Sequence, residues 1–100
     1  MKLGMHVKTD RHLEQVIGLA RAAAAKGHEV IVFTMADGEK LLENPTYYEL
    51  CKIPNIKMSY CDHNASHMGI KKEAIPREIT CGSQYNNAVM VNVADKVIVL

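Results

Sequence analysis

The order of elements at the start of the chain constrains the fold more than any other feature. Residues 2–7 (KLGMHV) and 29–35 (EVIVFTM) are apolar, contain β-branched residues and are too short for helices, so both are predicted strands. Between them, apolar residues recur at helical spacing from Leu13 to Ala24, and Gly27 follows as a helix-ending residue. Because strand–helix–strand crossovers are right-handed, the two strands are expected to be parallel in one sheet.

The remaining segments extend this sheet. Thr9 or Asp10 is expected to cap the first helix, Ala36–Gly38 to form a turn, and Ser83 to cap the last helix. Helices are predicted at 46–52 and 83–94, strands at 55–60 and 95–100, and a loop with a possible helical turn at 61–76. We therefore expect one α/β domain over residues 1–100, a three-layer α/β/α sandwich of flavodoxin-like type with a mainly parallel sheet of four or five strands. The last strand is predicted to be buried, and with no helix after it, uneven layers or a second subunit must cover the sheet.

Composition and charge exclude several partner classes. The formal net charge is +1, which gives no field suited to nucleic acid or an anionic membrane. The first ten residues lack the apolar core of a signal peptide, and no apolar run approaches the ~20 residues needed to cross a bilayer. We expect a soluble cytoplasmic protein.

The three cysteines do not form a disulfide or CxxC pattern. Free thiols in a reducing compartment are therefore expected. Cys51 lies among apolar residues of a predicted helix and is interpreted as core packing, whereas Cys81 precedes the last helix and is a candidate resolving thiol.

Cys61 is the candidate reactive residue. Ligands and reactive groups in open parallel sheets gather outside the carboxyl ends of the strands, where the loops meet. Cys61 follows the predicted strand 55–60, and a helix starting after it would place exposed N–H groups near the sulfur and favour the thiolate. His63 and His67 could add positive charge or exchange protons, whereas Asp62 acts in the opposite direction.

The segment YCDHNASHMGI, the closing NVADKVIVL and the FTMADG turn together resemble the DsrE/DsrF-like family, which includes small sulfur-relay proteins of the TusD type. The resemblance runs through nearly the whole chain in order. It implies that Cys61 carries a persulfide, taking sulfane sulfur from a donor protein and passing it to an acceptor. It also implies a homo-oligomer with active loops near subunit boundaries. Family members commonly have a basic residue before the glycine, where this chain has Met68.

We assign Cys61 the catalytic role of a sulfur carrier or sulfurtransferase, with no metal or cofactor required. The residues predicted to contact the substrate are Asp37, His63, Ser66 and His67.

Two other interpretations stay open. Cys61, His63, His67 and Cys81 offer the two sulfurs and two nitrogens of a tetrahedral zinc site. A non-catalytic protein of the same fold could instead bind a small ligand or regulate a partner, although the chain lacks the glycine-rich patterns that cradle phosphates. His6, on an otherwise apolar strand, is interpreted as a hydrogen-bonded core histidine rather than a base.

Overall fold

The computed structural model describes residues 1–100 and contains five strands and four α-helices. The strands are β1 (Lys2–Val7), β2 (Glu29–Thr34), β3 (Ile56–Cys61), β4 (Ile79–Gly82) and β5 (Lys96–Val99). The α-helices are α1 (Leu13–Ala25), α2 (Pro45–Tyr48), α3 (Asp62–Met68) and α4 (Gln84–Val93). Three 3₁₀ helices span Ala36–Glu43, Glu49–Lys52 and Lys72–Ala74. None of the helices combines the length and the apolar character required to span a bilayer.

The sheet confirms the expected α/β fold. All neighbouring strands are parallel, in the order β4-β3-β2-β1-β5. Met5, Val32, Met58 and Ile79 lie side by side across four of the strands. Residues that are paired across neighbouring strands point to the same face of the sheet, so the side chains of these four lie on one face.

That face carries the main core and is covered by α1, α2 and the 3₁₀ segments; we call it the α1 face. Helix α1 contributes Val16 and Ala20, and α2 contributes Tyr47, all fully buried. Tyr47 has its hydroxyl 2.7 Å from Thr34 Oγ1, so both polar groups are satisfied inside the core.

Helix α4 covers the opposite face, which we call the α4 face. A Cβ atom on Gly4 would lie 3.1 Å from Ala94 and 3.2 Å from Met90, so the missing side chain lets α4 approach β1 closely. Beneath the helix, Phe33, Cys61 and Met90 form a small second core cluster. Helix α4 contacts mainly β1, β2 and β3. The two edge strands are less covered by it, so the α4 face is less completely buried than the α1 face.

The expectation of a buried last strand is wrong. Strand β5 pairs only with β1 and lies at the edge of the sheet. Val97 and Val99 are 38% and 54% exposed. The apolar run 97–100 is therefore not a sign of a central strand, because β5 has a neighbouring strand on one side only and little of α4 covers it.

The expected cap of α1 is also wrong. The helix begins after His12, whose side chain makes no capping bond, and neither Thr9 nor Asp10 occupies the N-cap. Thr9 instead donates its hydroxyl to the backbone carbonyl of Leu100 at 2.8 Å, which joins the loop after β1 to the end of β5. A long-range partner thus replaces the local capping bond that the sequence suggests.

The expected cap of α4 is confirmed. The Ser83 hydroxyl accepts from the Tyr85 N–H at 3.2 Å, and the Asn86 side chain accepts from the Ser83 N–H at 3.0 Å. This is a reciprocal capping box. The short strand β4, just before it, was not anticipated, because a run of four residues that ends in glycine gives too weak a strand pattern.

Candidate functional site

Cys61 lies at the carboxyl edge of the sheet, as expected, but within the strand rather than after it. It is the last residue of β3 and the N-cap of α3, which begins at Asp62. Its side chain is 4% exposed and packs against Phe33 and Met90. The reactive atom is therefore enclosed between the sheet and α4.

The four residues predicted to contact the substrate lie at the surface, whereas Cys61 is buried. His63, Ser66 and His67 lie on α3 and Asp37 lies on the 3₁₀ helix after β2, and all four are exposed. The His63 and His67 rings lie 4.5 Å apart, which confirms that they share one helical face. None of the four residues lines a surface cavity. They form an exposed polar group at the carboxyl edge of the sheet, which we call the rim.

Asn64 connects this rim to the neighbouring strand. Its side-chain oxygen accepts from the Ala36 N–H at 2.9 Å. Ala36 has φ of 50°, a left-handed conformation that is uncommon outside glycine, and the bond to Asn64 helps to hold it. The loop after β2 and helix α3 are thereby fixed to one another. The sequence contains no local signal for this contact, since the two residues are 28 positions apart.

Glu39 is a buried acid that the sequence did not reveal. It lies in the 3₁₀ helix 36–43, where a turn was expected at Ala36–Gly38, and its exposed fraction is 0%. Burial raises the pKa of Glu39 to about 7, and the nearby Asp62 charge adds to this rise. Neither carboxyl oxygen has a hydrogen-bond partner. A glutamate between Gly38 and Lys40 is typical of a solvated turn, so the sequence does not predict that this residue is buried.

Asp62 is held in its charged form by Lys72. The two side chains lie 2.7 Å apart, and this pairing lowers the pKa of Asp62. Both groups are about half exposed, so the pair contributes little to stability. Its effect is local, because it neutralises the only acidic side chain in the first turn of α3.

Cys81 is the exposed thiol at this edge. It lies in β4 in register with Tyr60 of β3, and it is one of the minor causes that lower the pKa of Asp62. Burial, with Cys81 as a further cause, raises the pKa of Tyr60. A cavity of about 380 Å³ opens here, lined by Tyr60, Lys72, Ile75, Pro76, Arg77, Ile79, Thr80 and Cys81. The accessible sulfur of this edge is therefore Cys81.

The four proposed zinc ligands are not assembled into a metal site. Cys61 is in register with Gly82, and Tyr60 with Cys81, so the two cysteine side chains point to opposite faces. No group of three or more His, Cys, Asp or Glu side chains is placed to hold a metal ion. The sheet itself separates the two sulfurs.

Cys51 and His6 are the two polar or reactive residues that the sequence suggests are part of the core. Cys51 is half-buried and packs against the main core, as expected, and burial raises the pKa of its thiol. His6 is not the hydrogen-bonded histidine expected, because its Nε2 atom is buried without a partner. Burial and, secondly, the Lys8 charge lower the pKa of His6, which therefore stays neutral more readily.

Comparison with solved structures shows what this fold is similar to. One is a protein of unknown function, MTH1491 from Methanobacterium thermoautotrophicum, at a TM-score of 0.78 with 14% identity, covering 99% of this chain and 98% of that one. Another is the ychN protein from E. coli, at a TM-score of 0.72 with 17% identity and all of both chains covered. No protein-family model matches the chain, and no curated protein matches its sequence. These similarities support a DsrE/YchN-like fold.

Proposed function

We propose that this protein is a sulfur carrier or sulfurtransferase that holds sulfane sulfur as a persulfide on Cys61. The observation that carries the proposal is the position of Cys61. It is the last residue of β3, which has a neighbouring strand on both sides, and α3 begins directly after it. Backbone N–H groups at a helix start favour a thiolate. The DsrE/YchN-like fold, together with the sequence resemblance around Cys61, supports sulfur chemistry over other uses of the edge.

The chemistry needs one cysteine per protomer. The Cys61 thiolate attacks the outer sulfur of a donor persulfide, a new S–S bond forms, and the S–S bond of the donor breaks. The donor leaves as a thiolate and takes up a proton from solvent. The acceptor thiolate then repeats the attack on the outer sulfur held by Cys61, which restores the free thiol.

The burial of Cys61 determines how this exchange proceeds. At 4% exposure the sulfur cannot meet a donor in the closed form, so loading requires a local opening of the carboxyl edge. After closure, Phe33 and Met90 shield the persulfide from water. We assign the exposed groups of the rim, His63, Ser66, His67 and Asp37, to contact with the donor and acceptor proteins during this opening.

A second candidate places the sulfur on Cys81. The observation that favours it is exposure, since Cys81 lines an open cavity with Lys72 and Arg77. Two cations and the Tyr60 hydroxyl would stabilise an anionic sulfur there. Asp62 acts in the opposite direction, because its negative charge lies close enough to Cys81 for the two to influence each other.

The functional test is single-turnover transfer. Protein loaded with a polysulfide donor and freed of excess reagent is mixed with cyanide, which takes sulfane sulfur to give thiocyanate. We expect about one equivalent of thiocyanate from wild type and from Cys81→Ser, and none above background from Cys61→Ser. Thiocyanate yield retained in Cys61→Ser and lost in Cys81→Ser would transfer the role to Cys81.

We further propose that a second copy of this chain covers the α4 face. Large apolar side chains remain exposed on α4 and β5, namely Tyr85, Val89, Val91, Val93, Val97 and Val99. Parallel sheets are normally covered on both faces, and a single helix leaves this one incomplete. Light scattering should give a mass above that of the 11.1 kDa chain, and Val91→Lys should reduce it.

We place the activity in the cytoplasm, where free thiols stay reduced.

A further inference from the structure

Met90 separates the candidate cysteine from an open cavity on the α4 face. Its side chain is 1% exposed and packs in the second core cluster with Cys61 and Phe33. The same residue lines a cavity of about 310 Å³, whose other walls come from β2, β3, β4 and the rest of α4. Met90 thus borders both the enclosed thiol and open space.

The cavity lies on the same face of β3 as Cys61. Ser59 lines it and is two residues before Cys61, and side chains two residues apart in a strand point to the same face. Ile31 also lines the cavity, and it packs against the cluster that contains Cys61. The cavity therefore adjoins the side chains that enclose the thiol.

Of the two buried side chains that enclose Cys61, Met90 is the one with room to move. Phe33 is fully buried, does not line the cavity, and has its ring edge-on to His6 with the centroids 6.1 Å apart. Met90 has an unbranched side chain with three rotatable bonds. Protein interiors are close-packed, so a core side chain ordinarily has no alternative position. Here the neighbouring cavity has the volume of several water molecules, at about 30 Å³ each.

We propose that Met90 is the gate of Cys61: its side chain turns into the cavity, which uncovers the sulfur at the carboxyl edge while the backbone of α3 and α4 stays in place. The proposal rests on the proposed function, in which Cys61 must be uncovered for loading. Met90 controls access to the thiol and takes no part in bond making. Its return encloses the persulfide again.

A side-chain gate differs from an opening of the backbone in the surface that it exposes. Rotation of Met90 uncovers one thiol, whereas separation of α3 or α4 from the sheet exposes many apolar groups. The effect of a denaturant on an opening equilibrium scales with the surface that becomes exposed. Access to Cys61 through the gate is therefore nearly independent of urea below the unfolding transition.

The test measures the rate at which iodoacetamide modifies Cys61 in the native protein, by peptide mapping, at concentrations where light scattering shows no association. Met90→Ala removes the gate and should raise this rate at least about tenfold. Met5→Ala is the matched control, because Met5 is also a fully buried methionine but lies in the main core on the α1 face. It should leave the rate unchanged. Equal increases in the two variants would show that access follows overall stability, which overturns the proposal.

The persulfide gives a second measurement. Loaded Met90→Ala should release thiocyanate to cyanide faster than loaded wild type, with the same final yield, because the sulfur is no longer enclosed. A general loss of packing would not leave the yield unchanged while raising only the rate. Equal release rates in Met90→Ala and wild type would contradict the gate.

Should Met90→Ala fail to fold, wild-type protein answers the same question. Its rate of Cys61 modification should stay within about twofold up to about 1 M urea, whereas access through global unfolding would raise it about fivefold or more. A rise beyond twofold overturns the proposal. The outcome is separate from that of sulfur transfer. Faster modification in Met90→Ala without persulfide formation would refute the proposed function alone, and a persulfide on Cys61 with equal modification rates would refute this inference alone.

Discussion

Cys61 and Cys81 lie on neighbouring strands, yet their side chains leave the sheet on opposite faces, because Cys81 is in register with Tyr60 and Cys61 with Gly82. One sulfur is packed under α4 and the other is exposed beside a cavity. A disulfide requires the two Cβ atoms to face each other, so these residues cannot be bridged without movement of the backbone. The edge thus holds two thiols that act separately.

This arrangement predicts a clear order of thiol modification. With iodoacetamide under native conditions, Cys81 should react about tenfold faster or more than Cys61, because Cys61 must first be uncovered. Peptide mapping of partly alkylated protein measures both rates, and both should become similar in denaturant. Faster modification of Cys61 than of Cys81 would contradict the packing described.

Glu39→Gln should stabilise the protein at pH 8. The acid has a pKa near its ordinary value when unfolded and about 7 when folded, so the folded state binds more protons between these values. Stability therefore falls as pH rises from about 4.5 to 7, by roughly 3 kcal/mol, and the full penalty remains above 7. Denaturant unfolding at pH 5 and pH 8 measures this difference, which should shrink in the variant. An unchanged difference would show that Glu39 titrates normally.

Tyr47→Phe tests the buried hydroxyl pair. The change leaves Thr34 Oγ1 without its partner inside the core, which should cost about 1–2 kcal/mol in the free energy of unfolding. Tyr48→Phe is the matched control, because Tyr48 is only partly buried at the edge of the same core. Equal losses in the two variants would show that the hydroxyl contact contributes nothing. Adding Thr34→Val to Tyr47→Phe should recover part of the loss.

Gly38→Ala tests the close approach of the 3₁₀ helix to β1. A Cβ atom at Gly38 would lie 2.5 Å from the Val7 carbonyl oxygen, so the segment that carries Glu39 must shift. We expect a loss of about 1–3 kcal/mol. Gly18→Ala is the control, since no atom lies within 4 Å of its Cβ position in α1, and it should stabilise by about 0.5–1 kcal/mol. Thermal unfolding of both variants measures the contrast.

The sequence predicted the central part of the fold because its signals are local. Strands β1 and β2 with α1 between them follow from apolar spacing, and Ser83 caps α4 through a reciprocal pair three residues apart. The edge strands were the weak points. Strand β4 has only four residues, and the apolar pattern of β5 does not tell an edge strand from a central one.

The site was only partly predictable for the same reason. The position of Cys61 at the end of β3 follows from the strand pattern, and the pairing of His63 with His67 follows from helical spacing. The burial of Cys61 under Met90, and of Glu39 beside α3, depends on contacts between residues far apart in the chain. Thr9 illustrates the same limit, since its hydroxyl bonds to Leu100 rather than to the helix it precedes.

The most direct test of the central claim is the intact mass of the native protein after exposure to a sulfane-sulfur donor. Wild type and Cys81→Ser should each gain about 32 Da, the mass of one sulfur, and the gain should vanish on treatment with a reductant. Cys61→Ser should show no gain. A gain that persists in Cys61→Ser, or no gain in reduced wild-type protein, would contradict the assignment of Cys61 as the sulfur carrier.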